Sequence, residues 1–134
     1  LNYSVPAITV KNLIQIKDDV ILLDARETKE YEVSHIPGAR YVGFDDFDDS
    51  VLSDIDKDNR IVVYCSIGFR SEKIGEKLKK LGYFNTYNLF GSIFEWVNAG
   101  QQLEDKNGRP TNKVHTYNKK WSKWVTEGTA EKVW

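Results

Sequence analysis

Hydrophobic positions along the chain fall into two kinds of pattern. Two short apolar runs, Ile21-Leu22-Leu23 and Ile61-Val62-Val63-Tyr64, are continuous and partly β-branched, as in strands buried on both faces of a parallel sheet. Tyr41-Val42 and Thr86–Leu89 read as weaker strands. Between them lie helix-like stretches: Val10–Ile16, Thr28–Val33, residues 44–55, residues 71–81 and Ser92–Asn98. The clearest is 71–81, where Ile74, Leu78 and Leu81 recur at spacings of four and three among Lys and Glu, and Gly82 follows as a stop. Strands alternating with helices predict right-handed crossovers and an α/β fold, a mainly parallel central sheet of about five strands with helices on both faces. In such folds ligands bind where the carboxyl end of a strand gives way to loop and helix.

Composition narrows the class. A chain of 134 residues, 40% hydrophobic and 29% charged, is an ordinary globular domain able to bury a core. No apolar run is long enough to span a bilayer. The net charge of −1 gives no general attraction to nucleic acid or acidic membranes. Charge is uneven, however: residues 106–134 hold seven Lys and Arg against two Asp and Glu, and residues 1–105 hold twelve against eighteen. The expected organisation is therefore one domain over 1–105 and a basic, aromatic-rich C-terminal extension over 106–134, packed on or extending from that domain. Tyr117 to Trp124 interleaves basic and aromatic residues, but with no basic domain around it a tail packed on the acidic body is favoured over nucleic-acid contact. The chain begins at Leu1 and contains no methionine, so a segment is expected to have been removed upstream. A soluble monomer is expected, cytoplasmic or exported. Cys65 is the only cysteine, which excludes an internal disulfide and an all-cysteine zinc site.

One strand end carries candidate chemistry. Ile61-Val62-Val63-Tyr64 runs directly into Cys65-Ser66-Ile67-Gly68-Phe69-Arg70-Ser71, and an amphipathic helix follows. A thiol there faces the positive end of a helix and a turn of unpaired backbone N–H groups, surroundings that favour a nucleophilic thiolate. Gly68 permits a tight turn with inward-facing amides, and Arg70 adds planar cationic donors. A buried, inert cysteine is the plainer alternative. Gly68, Arg70 and the helix start in register with Cys65 weigh toward function.

Cys-x-x-Gly-x-Arg-Ser after a buried strand resembles the active-site loop of the rhodanese-like sulfurtransferases. Other segments match that family in order. Leu22-Leu23-Asp24-Ala25-Arg26-Glu27 resembles its first strand end with Asp-x-Arg; Glu30-Tyr31-Glu32-Val33-Ser34-His35-Ile36-Pro37-Gly38-Ala39 resembles its Glu-Tyr-x-x-Gly-His-Ile-Pro-Gly-Ala segment; Leu89-Phe90-Gly91-Ser92-Ile93-Phe94-Glu95-Trp96 resembles its Leu-x-Gly-Gly-x-x-x-Trp. The matches cover roughly residues 8–103. Ser34 and Ser92 stand where the family has glycine, and both read as structural departures that leave the nucleophile untouched.

The resemblance implies a rhodanese-like fold and a thiosulfate:cyanide-type sulfurtransferase. Cys65 thiolate attacks the sulfane sulfur of thiosulfate or another persulfide donor, and a thiol or cyanide then takes the sulfur from the Cys65 persulfide in a ping-pong cycle. The amides of Ser66, Ile67, Gly68, Phe69, Arg70 and Ser71 stabilise the persulfide. No metal and no organic cofactor is needed. A persulfide carrier or interaction module with little turnover is the alternative. Phosphatase or arsenate reductase chemistry ranks lower, because only four residues separate Cys65 from Arg70 where those enzymes use five. The apolar Ile67 and Phe69 favour a persulfide donor other than thiosulfate.

Asp24 and Arg26 are expected on the same side of the sheet as Cys65, either bracing the loop through a salt bridge or simply supporting the fold. His35 lies in a turn motif and reads as structural. Asp54-Ile55-Asp56-Lys57-Asp58 opens like an EF-hand loop, but Asn59 and Cys65 fall where glycine and glutamate are required, so calcium binding is not expected. Trp96 and Trp121 read as core or core-covering aromatics.

Overall fold

Ile61 and Val63 join one hydrophobic cluster and Val62 and Tyr64 another, so the strand that carries them is covered on both faces. In the computed structural model, which describes residues 4–134, the elements are β1 (Ala7–Ile8), α1 (Val10–Ile16), β2 (Ile21–Asp24), α2 (Thr28–Val33), β3 (Arg40–Tyr41), β4 (Ile61–Tyr64), α3 (Phe69–Lys80), β5 (Thr86–Leu89), α4 (Ser92–Asn98), β6 (Leu103–Glu104), β7 (Pro110–Thr111), β8 (Lys113–His115) and β9 (Glu131–Val133). The first five strands form one sheet in the order β1-β5-β4-β2-β3, every neighbouring pair parallel. This is the α/β fold that the alternation of strands and helices predicts.

Alternation along the strands assigns α1, α3 and α4 to faces of the sheet. Leu22, Val62 and Tyr64 pack with Val10 and Leu13 of α1 and with Ile93, Phe94, Trp96 and Val97 of α4. Leu23, Ile61 and Val63 pack with Ile74 and Leu78 of α3, and Leu52, Ile55 and Tyr83 complete that side. The register pairs Asp24 with Tyr64, which brings the ends of β2 and β4 level and sets their following loops side by side.

The helix expected over residues 44–55 is not formed. Only a single 3₁₀ turn, Asp49–Leu52, appears there. Asp48 takes the Ser50 amide at 3.0 Å and the Ser50 hydroxyl at 2.6 Å, a local arrangement that competes with helix propagation. α3 begins at Phe69, so the last residues of the Cys65 loop already belong to the helix.

Beyond α4, β6 and β7 pair antiparallel, and β8 pairs parallel with β9. β8 lies against α2. Val114 and Val125 are buried in the same cluster as α4. No helix among the described residues is long and apolar enough to cross a membrane.

Candidate active site

Cys65 follows the last residue of β4, and its side chain is only 2% exposed. Its sulfur is nonetheless surrounded by polar groups. Gly68 N–H donates to Sγ at 3.1 Å, Ser71 Oγ lies 3.4 Å away and Ser92 Oγ 3.9 Å away. Gly68 makes this geometry possible. Its φ of +117°, open to glycine and costly for other residues, turns the chain back so that its amide faces the thiol as α3 begins. The sequence anticipates six loop amides around the sulfur. Among the described residues, the Gly68 amide is the one in hydrogen-bond contact, and two hydroxyls complete the shell.

The loop is fixed from three directions. From α4, Ser92 Oγ accepts the Cys65 amide at 3.1 Å, and the Ile93 and Phe94 amides donate to the carbonyls of Cys65 and Ser66 at 3.1 and 3.3 Å. From β5, the Asn88 side chain accepts from Ser71 Oγ at 2.6 Å and donates to Gly68 O at 3.1 Å. From α2, buried Glu30 accepts from Ser66 Oγ at 3.1 Å, while its other oxygen takes the Glu27 amide at 3.1 Å in a reciprocal helix cap. Sequence reasoning passes over all three holders. Glu27-x-x-Glu30 is a capping-box spacing that points to Glu30; nothing local marks Asn88.

Ser92 requires a correction. It contacts the nucleophile's backbone and approaches its sulfur, although the sequence reading treats it as remote from Cys65. It also adopts φ +52°, the left-handed region that favours glycine.

Asp24 and Arg26 pair with each other in full burial. Arg26 donates to both Asp24 oxygens, the shortest contact being 2.6 Å, and a further Arg26 N–H donates to Ser34 O at 2.7 Å. Burial is the largest single influence on the guanidinium and works against its charge. The Asp24 charge and hydrogen bond, helped by Tyr64 and Glu30, outweigh it and raise the pKa. The pair touches no atom of the Cys65 loop by hydrogen bond among the described residues. It ties the end of β2 to the α2–β3 turn. Tyr64, buried beside it, accepts the Ile36 amide at 3.1 Å, and burial pushes its phenol well above its ordinary range.

His35 is held by the Tyr31 carbonyl at 3.0 Å and Glu104 at 3.1 Å, and stacks on the Tyr31 ring at 3.9 Å; none of these three contacts involves the Cys65 loop. Arg70 pairs with no carboxylate among the described residues. Its guanidinium lies over two rings, Phe44 at 5.6 Å and Tyr117 at 5.0 Å. Arg70 also borders a small cavity of about 40 Å³ over the sulfur, whose walls are Cys65, Ser66, Ile67, Phe69, Tyr117 and Trp121.

Comparison with known proteins matches this arrangement to one family. A rhodanese-like domain model matches residues 7–99. The tRNA uridine(34) hydroxylase of Erwinia tasmaniensis is 33% identical over 89 residues, 63% of this chain and 25% of that protein. A Bacillus subtilis protein named as a proposed sulfur carrier is 27% identical, over 70% of this chain and 52% of its own length. The chain thus spans a quarter to a half of these curated relatives. The structure of thiosulfate sulfurtransferase from Pseudomonas aeruginosa superposes with a TM-score of 0.67 at 30% identity, covering 78% of this chain and 21% of that one. The sequence motifs, the five-stranded parallel sheet and the family match agree: this chain belongs to the rhodanese-like domain family.

Proposed function

We propose that the chain moves sulfane sulfur through a persulfide on Cys65. The observation that carries this reading is the convergence on one sulfur of the Gly68 amide and the Ser71 and Ser92 hydroxyls, at the end of β4 and beneath a cavity a few atoms wide. The preorganised Gly68 amide stabilises charge on a sulfur anion and on the persulfide formed from it, and the two hydroxyl oxygens keep the surroundings polar. In the loading step, Cys65 thiolate attacks the outer sulfur of a donor. With R–S–SH the S–S bond breaks, RS⁻ leaves and Cys65–S–SH forms. With thiosulfate, sulfite leaves and the Cys65 persulfide anion remains. In the second step an acceptor thiolate or cyanide attacks the outer sulfur and restores Cys65 thiolate. Each step exchanges one S–S bond or one S–S for S–C bond and needs no external oxidant.

The similarity to a thiosulfate sulfurtransferase and to a proposed sulfur carrier supports this reading. The similarity to the tRNA uridine(34) hydroxylases covers about a quarter of their length and supports carrying over the domain rather than the whole activity. Steady-state kinetics with a persulfide donor and cyanide as acceptor test the proposal. Parallel double-reciprocal lines, abolished by Cys65→Ser, are expected; intersecting lines, or turnover that survives in Cys65→Ser, contradict it.

A carrier role is the second reading, favoured by the low exposure of Cys65. Stoichiometric loading with negligible cyanide turnover would select it.

A further inference from the structure

The cavity beside Cys65 is walled in part from outside the family segment. The family model ends at residue 99, whereas Tyr117 and Trp121, in the loop between β8 and β9, line this cavity together with Cys65. Their rings contact each other at 4.8 Å. Trp121 rests against the hydrophobic cluster shared by α1 and α4, and its amide is fixed by Asn118 Oδ1 at 2.8 Å. The Tyr117 ring also lies against Arg70, the arginine of the Cys65 motif. The extension therefore grips the loop it covers.

Backbone strain marks the same place. Among the described residues only Ser92 and Tyr117 are non-glycine residues with positive φ. Both line or hold the Cys65 site. Tyr117, at φ +72°, is kept in this costly conformation by its amide, which donates to His115 Nδ1 at 3.0 Å, and by its ring contacts with Arg70 and Trp121.

We propose that Tyr117 and Trp121 are specificity-determining residues that roof Cys65 and select an organic persulfide, R–S–SH, over thiosulfate as sulfur donor. The preference follows from size and lining, and it rests on the sulfur-transfer reading above. An apolar cavity of about 150 Å³ holds benzene. The 40 Å³ above Cys65, walled by Ile67, Phe69, Tyr117 and Trp121, takes the outer sulfur of a donor and little more. In-line attack places the leaving group directly behind that sulfur. For R–S–SH the leaving group is a single sulfur followed by a slender carbon chain. For thiosulfate it is sulfite, a dianion with three oxygens, which these largely apolar walls neither fit nor solvate. Arg70, the one cation on the cavity, is engaged with the faces of Phe44 and Tyr117.

The test separates the roof from the sulfur chemistry. Wild type, Tyr117→Ala, Trp121→Ala and the bulk-preserving Tyr117→Leu are treated in parallel with iodoacetamide and with a bulky aryl maleimide, and Cys65 modification is followed by intact mass. They are then loaded from thiosulfate, cysteine persulfide and a persulfidated cysteine peptide. Thermal melts confirm folding, and Tyr117→Leu serves if either alanine variant does not fold. The alanine variants are expected to raise the ratio of maleimide to iodoacetamide rates, and the ratio of thiosulfate to cysteine-persulfide loading, each by about tenfold. Tyr117→Leu should fall between them and wild type. Peptide loading below free-persulfide loading assigns a small donor, and equal loading a persulfide tail of either origin; both support the roof. Wild type that loads at least as fast from thiosulfate as from either persulfide, or variants whose ratios do not move, overturns it. If no donor loads wild type while the alkylation ratio still responds to the variants, the sulfur-transfer reading fails and the roof stands as a steric barrier alone, without its donor preference.

Discussion

Ser92 Oγ accepts the backbone N–H of Cys65 at 3.1 Å and reaches to 3.9 Å from the Cys65 sulfur, so one side chain fixes the candidate nucleophile and approaches its reacting atom. The residue holds this position in a left-handed backbone conformation, where a Cβ is unfavourable by about 1 kcal/mol.

Two substitutions separate these effects. Ser92→Ala keeps the strain and strands the buried Cys65 amide, so it should lower unfolding free energy by about 1–3 kcal/mol. Ser92→Gly strands the same amide but removes the strain, so its loss should be smaller by up to about 1 kcal/mol. Denaturant unfolding of both proteins checks the order. Alanine proving no worse than glycine would show that the left-handed conformation is not retained.

Arg26→Met should be among the most damaging substitutions away from Cys65. It leaves Asp24 fully buried without its partner and frees the Ser34 carbonyl. Breaking a buried pair in this way costs about 3–5 kcal/mol. Replacing both members, as in Asp24→Leu with Arg26→Met, should recover part of that loss, because no lone buried charge remains. A urea-unfolding double-mutant cycle measures the coupling, and additive losses would contradict it.

Glu30→Ala removes the carboxylate that receives both Ser66 Oγ and the Glu27 amide. The α2 cap should weaken by about 1 kcal/mol. Freed on one side, the loop should also transfer sulfur more slowly. Ser66→Ala removes only the loop contact. It should therefore reproduce the loss of sulfur-transfer rate with less loss of stability. Equal stability losses in the two variants would mean that the cap contributes nothing.

Burial of His115 sets the sign expected for a pH dependence of the extension. Burial is the main influence and lowers its pKa; Lys29 and Arg26 add to the lowering, while Glu30 and Glu27 oppose it. The unfolded chain then takes up a proton at higher pH than the folded one. The stability associated with neutral His115 is complete above the ordinary histidine value near 6.5 and is lost as pH falls through the lower folded value. Protonation also removes the acceptor for the Tyr117 amide. Thermal melts between pH 8 and 5 should show a steeper acid-side fall in wild type than in His115→Gln, compared at about one-unit pH intervals. Parallel curves would contradict the assignment.

The central sheet and the Cys65 loop are legible in the sequence because their signals are local. The run Ile61-Val62-Val63-Tyr64 is too apolar for a surface element, and glycine three residues after the cysteine has a direct backbone consequence. β1 and the strands after α4 are two or three residues long and leave no periodicity to read. Residues 44–55 carry helix-like apolar spacing, but Asp48 and Ser50 satisfy each other locally and the helix does not propagate. Asp24 and Arg26 are legible as a pair, but their burial and their tie to the Ser34 carbonyl are not. Hardest to foresee is the roof. Tyr117 meets Arg70 only because β8 packs on α2, a contact between distant segments that no local pattern encodes.

The most direct measurement is the intact mass of the protein after exposure to cysteine persulfide and removal of excess donor. The account predicts one added sulfur atom per chain, located on the Cys65 peptide, absent in Cys65→Ser and removed by cyanide. A mass that does not change, or an added sulfur that persists in Cys65→Ser, contradicts it.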